Sequence, residues 1–416
     1  MNYEFLEELT QKVKDSNISK KEKDIFKNCL YNTFTKTIKE IDDDNIYVIT
    51  GDIEAMWLRD STMQILPLMY VDDKKALDIV RRVINRQFFY LNIDSYANAF
   101  NESANARHWA DDDNDICDWV WERKYEIDSI ALPMWLLNKY YYRTFDKKTL
   151  LDKKEIIEKL IKQIKLEQNH DNSSYLFIRN NDWKMDQLEN NGKGSKVSYT
   201  KMSWQAFRPS DDVCKYHYNI PGNLLISKAL EDASEIWKEF DIDLSNSMLN
   251  LSKEIREGIE EFGTYNHEKY GKIYAYEVDG LGNYELIDDG NMPSLLSMPF
   301  FGIDNEIIRN TRKFILSKDN RYFYEGEYFY GIGSSHTPEG YIWHLAIANE
   351  LLTSNDIEDK EKLLKLMADS DADTGLMHES FYKDNPKEYT REFFSWANSM
   401  YFLSVLDLIT QKIDKK

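Results

Sequence analysis

Titratable residues crowd six short polar stretches of this chain, and each stretch is followed by an apolar run at helical spacing. Residues 51–60 carry Asp52, Glu54, Arg59 and Asp60; residues 118–126 carry Glu122, Arg123 and Glu126; residues 207–221 carry Arg208, Asp211 and Asp212. Residues 276–291 hold Asp288 and Asp289, residues 331–339 hold His336, and residues 378–392 begin with His378-Glu379. Taken singly, each has a structural reading. Arg59-Asp60 is an ion pair capping a helix, Ser210-Asp211-Asp212 a helix N-cap, and residues 122–126 a solvated charged turn. Lone histidines such as His336 and His378 are more often satisfied structural side chains than catalysts. Together the six stretches supply more ionisable groups than six turns need. Brought to one place, their chemistry is proton transfer between carboxyl groups.

Competing chemistries lack their motifs. His378-Glu379 has no second histidine three residues on, and Asp111-Asp112-Asp113 lacks the spacing and central glycine of a calcium loop, so no metal site is expected. Gly331-Ile332-Gly333 is too short to cradle a phosphate, and no serine sits in a nucleophile elbow. Cys29, Cys117 and Cys214 are an odd number at unrelated spacings, which suggests reduced thiols in a cytoplasmic protein. No cofactor is implied.

With 53 Lys+Arg against 73 Asp+Glu, the formal net charge is −20. Such a surface repels nucleic acid and anionic lipid, which argues against both as partners. No apolar run approaches the roughly 18 residues that span a bilayer. The first 17 residues read as an acidic amphipathic helix rather than a secretory signal. A neutral, hydroxyl-rich ligand is indifferent to the field, and sugars fit that description. Trp57, Trp109, Trp119, Trp121, Trp204 and Trp396 lie in polar, acid-rich segments, where aromatic rings could stack on sugar faces.

Two kinds of helix alternate along the chain. Lys/Glu-rich amphipathic runs cover residues 20–41, 72–91, 152–168, 243–262, 304–317 and 354–369. More apolar runs cover 61–70, 127–142, 222–240, 292–300, 340–352 and 393–409, each after one of the polar stretches. Six outer and six inner helices in alternation predict an all-α (α/α)6 barrel forming a single domain over residues 1–416. In such a ring the inner helices run parallel, so their N-terminal loops and positive dipole ends converge at one mouth. Residues 264–287 alternate in period two around Gly280-Leu281-Gly282-Asn283 and predict a small β-hairpin insertion. Residues 171–205 predict a long polar insertion over one end.

Two acids on different loops across that mouth could hydrolyse a glycosidic bond. One would protonate the departing oxygen and the other activate water, held roughly 6.5–9.5 Å apart if the reaction inverts.

The residues in these loops resemble glycoside hydrolase family 125, the exo-α-1,6-mannosidases. The resemblance rests on Gly51-Asp52-Ile53 with Trp57-Leu58-Arg59-Asp60-Ser61, on Trp121-Glu122-Arg123-Lys124-Tyr125-Glu126, and on Phe207-Arg208-Pro209-Ser210-Asp211-Asp212. Asp288-Asp289 with Asn291-Met292-Pro293-Ser294-Leu295, Gly333-Ser334-Ser335-His336-Thr337, Met377-His378-Glu379-Ser380-Phe381 and Phe394-Ser395-Trp396-Ala397-Asn398-Ser399 continue it in order. The resemblance implies metal-free inverting hydrolysis of terminal mannose from an oligosaccharide. It further implies that one aspartate of the Asp211-Asp212 pair, with Asp212 preferred, is the general acid and Glu379 the general base; Glu392 is a rival base. Asp52, Trp57, Arg59, Asp60, Glu122, Arg123, Arg208 and His336 would then hold sugar hydroxyls. Gly222 and His344 depart from the family pattern without removing a carboxylate. The rival expectations are another (α/α)6 α-glycosidase, akin to glucoamylase or trehalase, and a catalytically inactive glycan-binding toroid.

Overall fold

A computed structural model describes residues 3–110 and 116–414; the Asp111-Asp112-Asp113 run lies outside them. Its twelve main helices are α1 (Glu4–Lys14), α2 (Lys20–Lys36), α3 (Leu58–Ile65), α4 (Lys74–Ile93), α5 (Asp128–Thr144), α6 (Lys154–Glu167), α7 (Ile220–Trp237), α8 (Ile242–Phe262), α9 (Glu306–Ile315), α10 (His344–Leu352), α11 (Ile357–Asp369) and α12 (Ser395–Asp414). Five of the six outer helices begin on good caps, the exception being Lys154–Glu167. Ser19 and Glu22 form a reciprocal capping box on α2, and the side chains of Asp73, Asp241, Asn305 and Asp356 accept first-turn N–H groups of α4, α8, α9 and α11. Each outer helix buries one stripe, as Leu244, Met248, Leu251, Ile255 and Ile259 do on α8. The inner set is buried nearly all round; every residue of α3 is buried.

Inner helices pack on one another in sequence: α3 on α5, α5 on α7, α10 on α12, and α12 back on α3. Outer helices cover them, with α2 on α12, α4 on α5, α8 on α7 and α11 on α10. Apolar side chains from Tyr3 to Ile409 join in one continuous cluster. Among the described residues no helix is long and apolar enough to cross a membrane.

Two expectations need correction. The fourth inner helix, predicted over 292–300, is a run of turns ending in a short 3₁₀ segment, Met298–Phe301. Pro293 and Pro299 remove two helical donors, and the Asp288 carboxylate takes the N–H groups of Leu295 and Leu296 (3.3 and 2.9 Å) before a helix can. The chain is mainly helical, as expected, but carries more strand than one hairpin. The 264–287 region is two hairpins, Thr264–His267 with Gly271–Tyr274 and Glu277–Val278 with Tyr284–Glu285, the second turning at Gly280-Leu281-Gly282-Asn283.

Further short strands lie in the loops that precede the inner helices, and they join those loops in pairs. Met56–Trp57 pairs with Ala99–Phe100, which pairs with Val120–Glu122, joining the loops before α3 and α5. Tyr218–Asn219 pairs with Glu277–Val278, and Tyr341–Trp343 with Ser380–Tyr382. A bridge between Gly51 and Phe394 joins the last loop to the first. Gly51 has φ +141°, and a Cβ there would stand 2.2 Å from the Phe393 carbonyl oxygen, so only glycine permits that junction.

The 171–205 segment packs on α8 through Gly258, whose Cβ position lies 2.1 Å from the Thr200 carbonyl oxygen. Helix propensity alone would make Gly258→Ala stabilising by about 1 kcal/mol. A clash with backbone outweighs that, because backbone cannot swing aside as a side chain does. The variant should instead lose about 1–3 kcal/mol in urea unfolding against wild type. A stability equal to or above wild type would show that this segment does not bear on α8.

Candidate active site

A cavity of about 280 Å³ opens where the linked loops meet. Trp57, Trp109, Trp183, Trp343, Phe394 and Trp396 form its aromatic wall, and Arg59, Asp60, Glu122, Lys124, Asp186, Asp211, His336, Glu379 and Arg391 its polar one.

Arg59 organises one side. Its Nη1 donates to Glu126 Oε2 at 2.5 Å and to Asp128 Oδ2 at 3.0 Å, and its Nη2 to Asp211 Oδ1 at 2.8 Å. Asp60 lies 3.8 Å from Nε and accepts from Thr50 Oγ1 at 2.5 Å. Lys124 reaches Asp186 at 2.7 Å and Glu122 at 3.6 Å, and donates to the Asp211 carbonyl at 2.8 Å. Arg179, from the 171–205 segment, pairs with Glu122 and Asp186 at 3.1 and 2.8 Å. Burial opposes charge on Asp211, but Arg59 and Lys124 outweigh it and hold that carboxyl well below the usual range. Glu126 moves the other way: burial, with the charges of Asp211 and Asp128 beside it, drives it well above the usual range despite Arg59.

Asp211 and Asp212 part company at a tight turn. Arg208 N–H donates to the Asp212 carbonyl at 2.7 Å and Asp211 N–H to the Arg208 carbonyl at 2.9 Å, with Asp211 in the left-handed region at φ +63°. Asp211 therefore faces the cavity with its side chain 24% exposed, whereas that of Asp212 is 1% exposed. Asp212 is engaged behind the wall, accepting from Ser335 Oγ at 2.5 Å and facing His336 Nδ1 at 3.0 Å. Burial disfavours the imidazolium, but Asp212, with help from Glu379 and Asp211, raises His336 to about 9.

Glu379 sits one residue before strand Ser380–Tyr382 and also lines the cavity. Arg391 Nη1 stands 3.5 Å from Glu379 Oε1, and the rest of its guanidinium holds Asp52 at 2.5–3.2 Å.

Of the residues expected to touch ligand, Trp57, Arg59, Asp60, Glu122, His336, Asp211 and Glu379 line the cavity. Asp52, Arg123, Arg208 and Asp212 do not. Asp52 acts through Arg391. Arg123 pairs with Asp94 at 2.6 Å and stacks over Tyr96 and Tyr175. Arg208 is buried against Glu277, which also accepts the Lys215 and Tyr216 N–H groups. Glu392 is exposed and off the cavity wall. The sequence reading missed Lys124, Asp186 and Arg391, and Trp183 in the 171–205 insertion. Arg391 adopts φ +46°, which no local pattern announces. Among the described residues no His/Cys/Asp/Glu cluster is arranged to hold a metal ion.

Residues 19–406 match the sequence profile of the metal-independent α-mannosidases of glycoside hydrolase family 125. A Streptococcus pneumoniae metal-independent α-mannosidase, solved in a non-productive complex with α-1,6-mannobiose, is 39% identical and superposes at a TM-score of 0.94, over 98% of this chain and 97% of that one. The meiotically up-regulated gene 157 protein of Schizosaccharomyces pombe is 33% identical over 98% of this chain and 85% of its own length. A bacterial glucoamylase bound to acarbose shares only the fold, at 13% identity and a TM-score of 0.55, over 86% of this chain and 51% of that one. The chain thus belongs to glycoside hydrolase family 125 and is an α-mannosidase.

Proposed function

We propose that this α-mannosidase is an inverting, exo-acting enzyme that removes terminal α-1,6-linked mannose from oligosaccharides such as those derived from N-linked glycans. We read its 416 residues as one catalytic (α/α)6 toroid in which the 292–300 turn segment stands in for an inner helix, and its unpaired Cys29, Cys117 and Cys214 favour a cytoplasmic setting. The observation that carries the reading is the pair Asp211 and Glu379 on the wall of one tryptophan-lined cavity. At about 280 Å³ the cavity lies just below the ~300–1,000 Å³ typical of ligand pockets, which suits the end of a glycan rather than its middle. The Streptococcus relative's α-1,6-mannobiose complex supports the linkage.

Asp211 is the general acid in this reading and Glu379 the general base. Asp212 is spent on Ser335 and His336, so the choice between neighbouring aspartates falls on the one that faces the cavity. Trp57 Nε1, Trp396 Nε1 and Asn291 Nδ2 are buried on the cavity wall without protein acceptors, which suits them to sugar hydroxyl oxygens. In the reaction Asp211 protonates the glycosidic oxygen as the C1–O bond breaks. Glu379 takes a proton from the water that attacks C1 on the opposite face.

Asp211→Asn and Glu379→Gln should each lower kcat on α-1,6-mannobiose by roughly 10²–10⁴-fold. Proton NMR of the first product should show β-mannose. Turnover of maltose without mannobiose, α-mannose as first product, or unchanged rates in both variants would each refute the reading.

His336 gives a pH signature. Its folded value of about 9 stands above the free value of 6.5, so its pairing with Asp212 contributes stability that is full below pH 6.5 and is lost as pH rises through 9. Imidazole NMR should find that midpoint near 9, and Asp212→Asn should move it down. A wild-type midpoint near 6.5 would mean the pair is not formed.

A further inference from the structure

The cavity's acid side contains more carboxyl groups than its cations can balance. Asp60, Glu122, Glu126, Asp128, Asp186 and Asp211 share Arg59, Lys124 and Arg179 through the contacts described above. Apart from Asp211, every one of these side chains is 7% exposed or less. Uncompensated charge so buried is too costly to keep, and the network resolves it by holding protons.

One contact brings two of these carboxyls together. A single guanidinium fork grips two carboxylates from different loops, Nη1 on Glu126 at 2.5 Å and Nη2 on Asp211 at 2.8 Å. Asn98 Nδ2 spans the same two groups, 3.4 Å from Glu126 Oε1 and 3.5 Å from Asp211 Oδ1. Clamped by one guanidinium and spanned by one amide, the two carboxyls lie side by side, where two bare carboxylates would repel each other. Glu126 also faces Asp128, while Asp211 faces Lys124 and His336.

Resting on the assignment of Asp211 as the acid, we propose that Glu126 is its positioning residue: Arg59 clamps the two carboxyls so that they share one proton, which Asp211 delivers to the departing oxygen. The step balances. The shared proton goes to the glycosidic oxygen, which also takes the electron pair of the C1–O bond; water's oxygen bonds C1, and its released proton goes to Glu379. Glu126 and Asp211 are then both ionised beside Arg59, and the proton on Glu379 returns to the pair through solvent. The opposing displacements of the two carboxyls fit this division, since burial keeps the proton on Glu126 until it is used.

Leaving-group dependence tests the idea. An aryl mannoside with a dinitrophenolate leaving group needs no proton, whereas α-1,6-mannobiose does. Glu126→Gln should lose about 100-fold on mannobiose yet stay within about threefold on the dinitrophenyl substrate. The alkaline limb of its kcat/KM profile should move to lower pH, and Glu126→Asp should recover most of the loss. Equal losses on both substrates with an unmoved limb would reduce Glu126 to a structural part. If Asp211→Asn remains selective for the poor leaving group in that case, the acid assignment stands and only this proposal fails; if it is not selective, the acid assignment fails first. Should Glu126→Gln not fold, ¹³C-carboxyl NMR of the glutamate-labelled wild-type protein decides. A protonated glutamate at pH 7 that shifts in Asp211→Asn supports the shared proton, and its absence overturns it.

Discussion

Arg59 lies in the first turn of α3, where the helix dipole is positive and a cation is unwelcome, and its side chain is 3% exposed. Neither circumstance is tolerable without anionic partners close by. They come from two other loops: Glu126 and Asp128 before and at the start of α5, and Asp211 before α7. The guanidinium therefore fixes three chain segments to one another in a geometry its planar fork dictates. Breaking a buried pair of this kind costs about 3–5 kcal/mol, against about 0–1 for an exposed one, so exposed pairs such as Lys201–Glu257 have little say in the shape of the cavity.

Asp211 and Glu379, two of the carboxyls that line the cavity, are held by different physics. Asp211, part-exposed to the cavity, is fixed by two buried cations, Arg59 and Lys124. Glu379 is fixed by its strand, through the pairing of Trp343 with Ser380, and by an Arg391–Asp52 pair whose side chains are 22% and 38% exposed. Solvent screens that second pair, so its grip on Glu379 is weaker than the grip of Arg59 on Asp211. The split suits the roles proposed. An acid must present one proton along one line, whereas a base must share its space with an incoming water.

Much of this arrangement was legible in the chain. Outer helices showed their stripes, and the loops holding the charged clusters could be located because each preceded an apolar run. What stayed hidden was decided by contacts distant in sequence. Residues 292–300 are apolar enough for a helix, but Asp288 claims their N–H groups. Strands of two or three residues are too short for a period-two pattern to register. Which of Asp211 and Asp212 faces the cavity is set by a turn closed between Arg208 and the two aspartates, not by any property of the two identical side chains. Arg391 sits at a left-handed position that sequence does not mark.

The surplus of carboxyl groups around Arg59 also resolves a tension in asking Asp211 to act as an acid. Flanked by Arg59 and Lys124, Asp211 alone would be too strong an acid to stay protonated near neutral pH. A strong acid nevertheless transfers its proton readily, because the driving force to the sugar oxygen grows as its own affinity falls. In the mechanism proposed, Glu126 carries the proton at rest and Asp211 delivers it. The two carboxyls titrate as a pair, and that pairing depends on a single guanidinium holding them side by side.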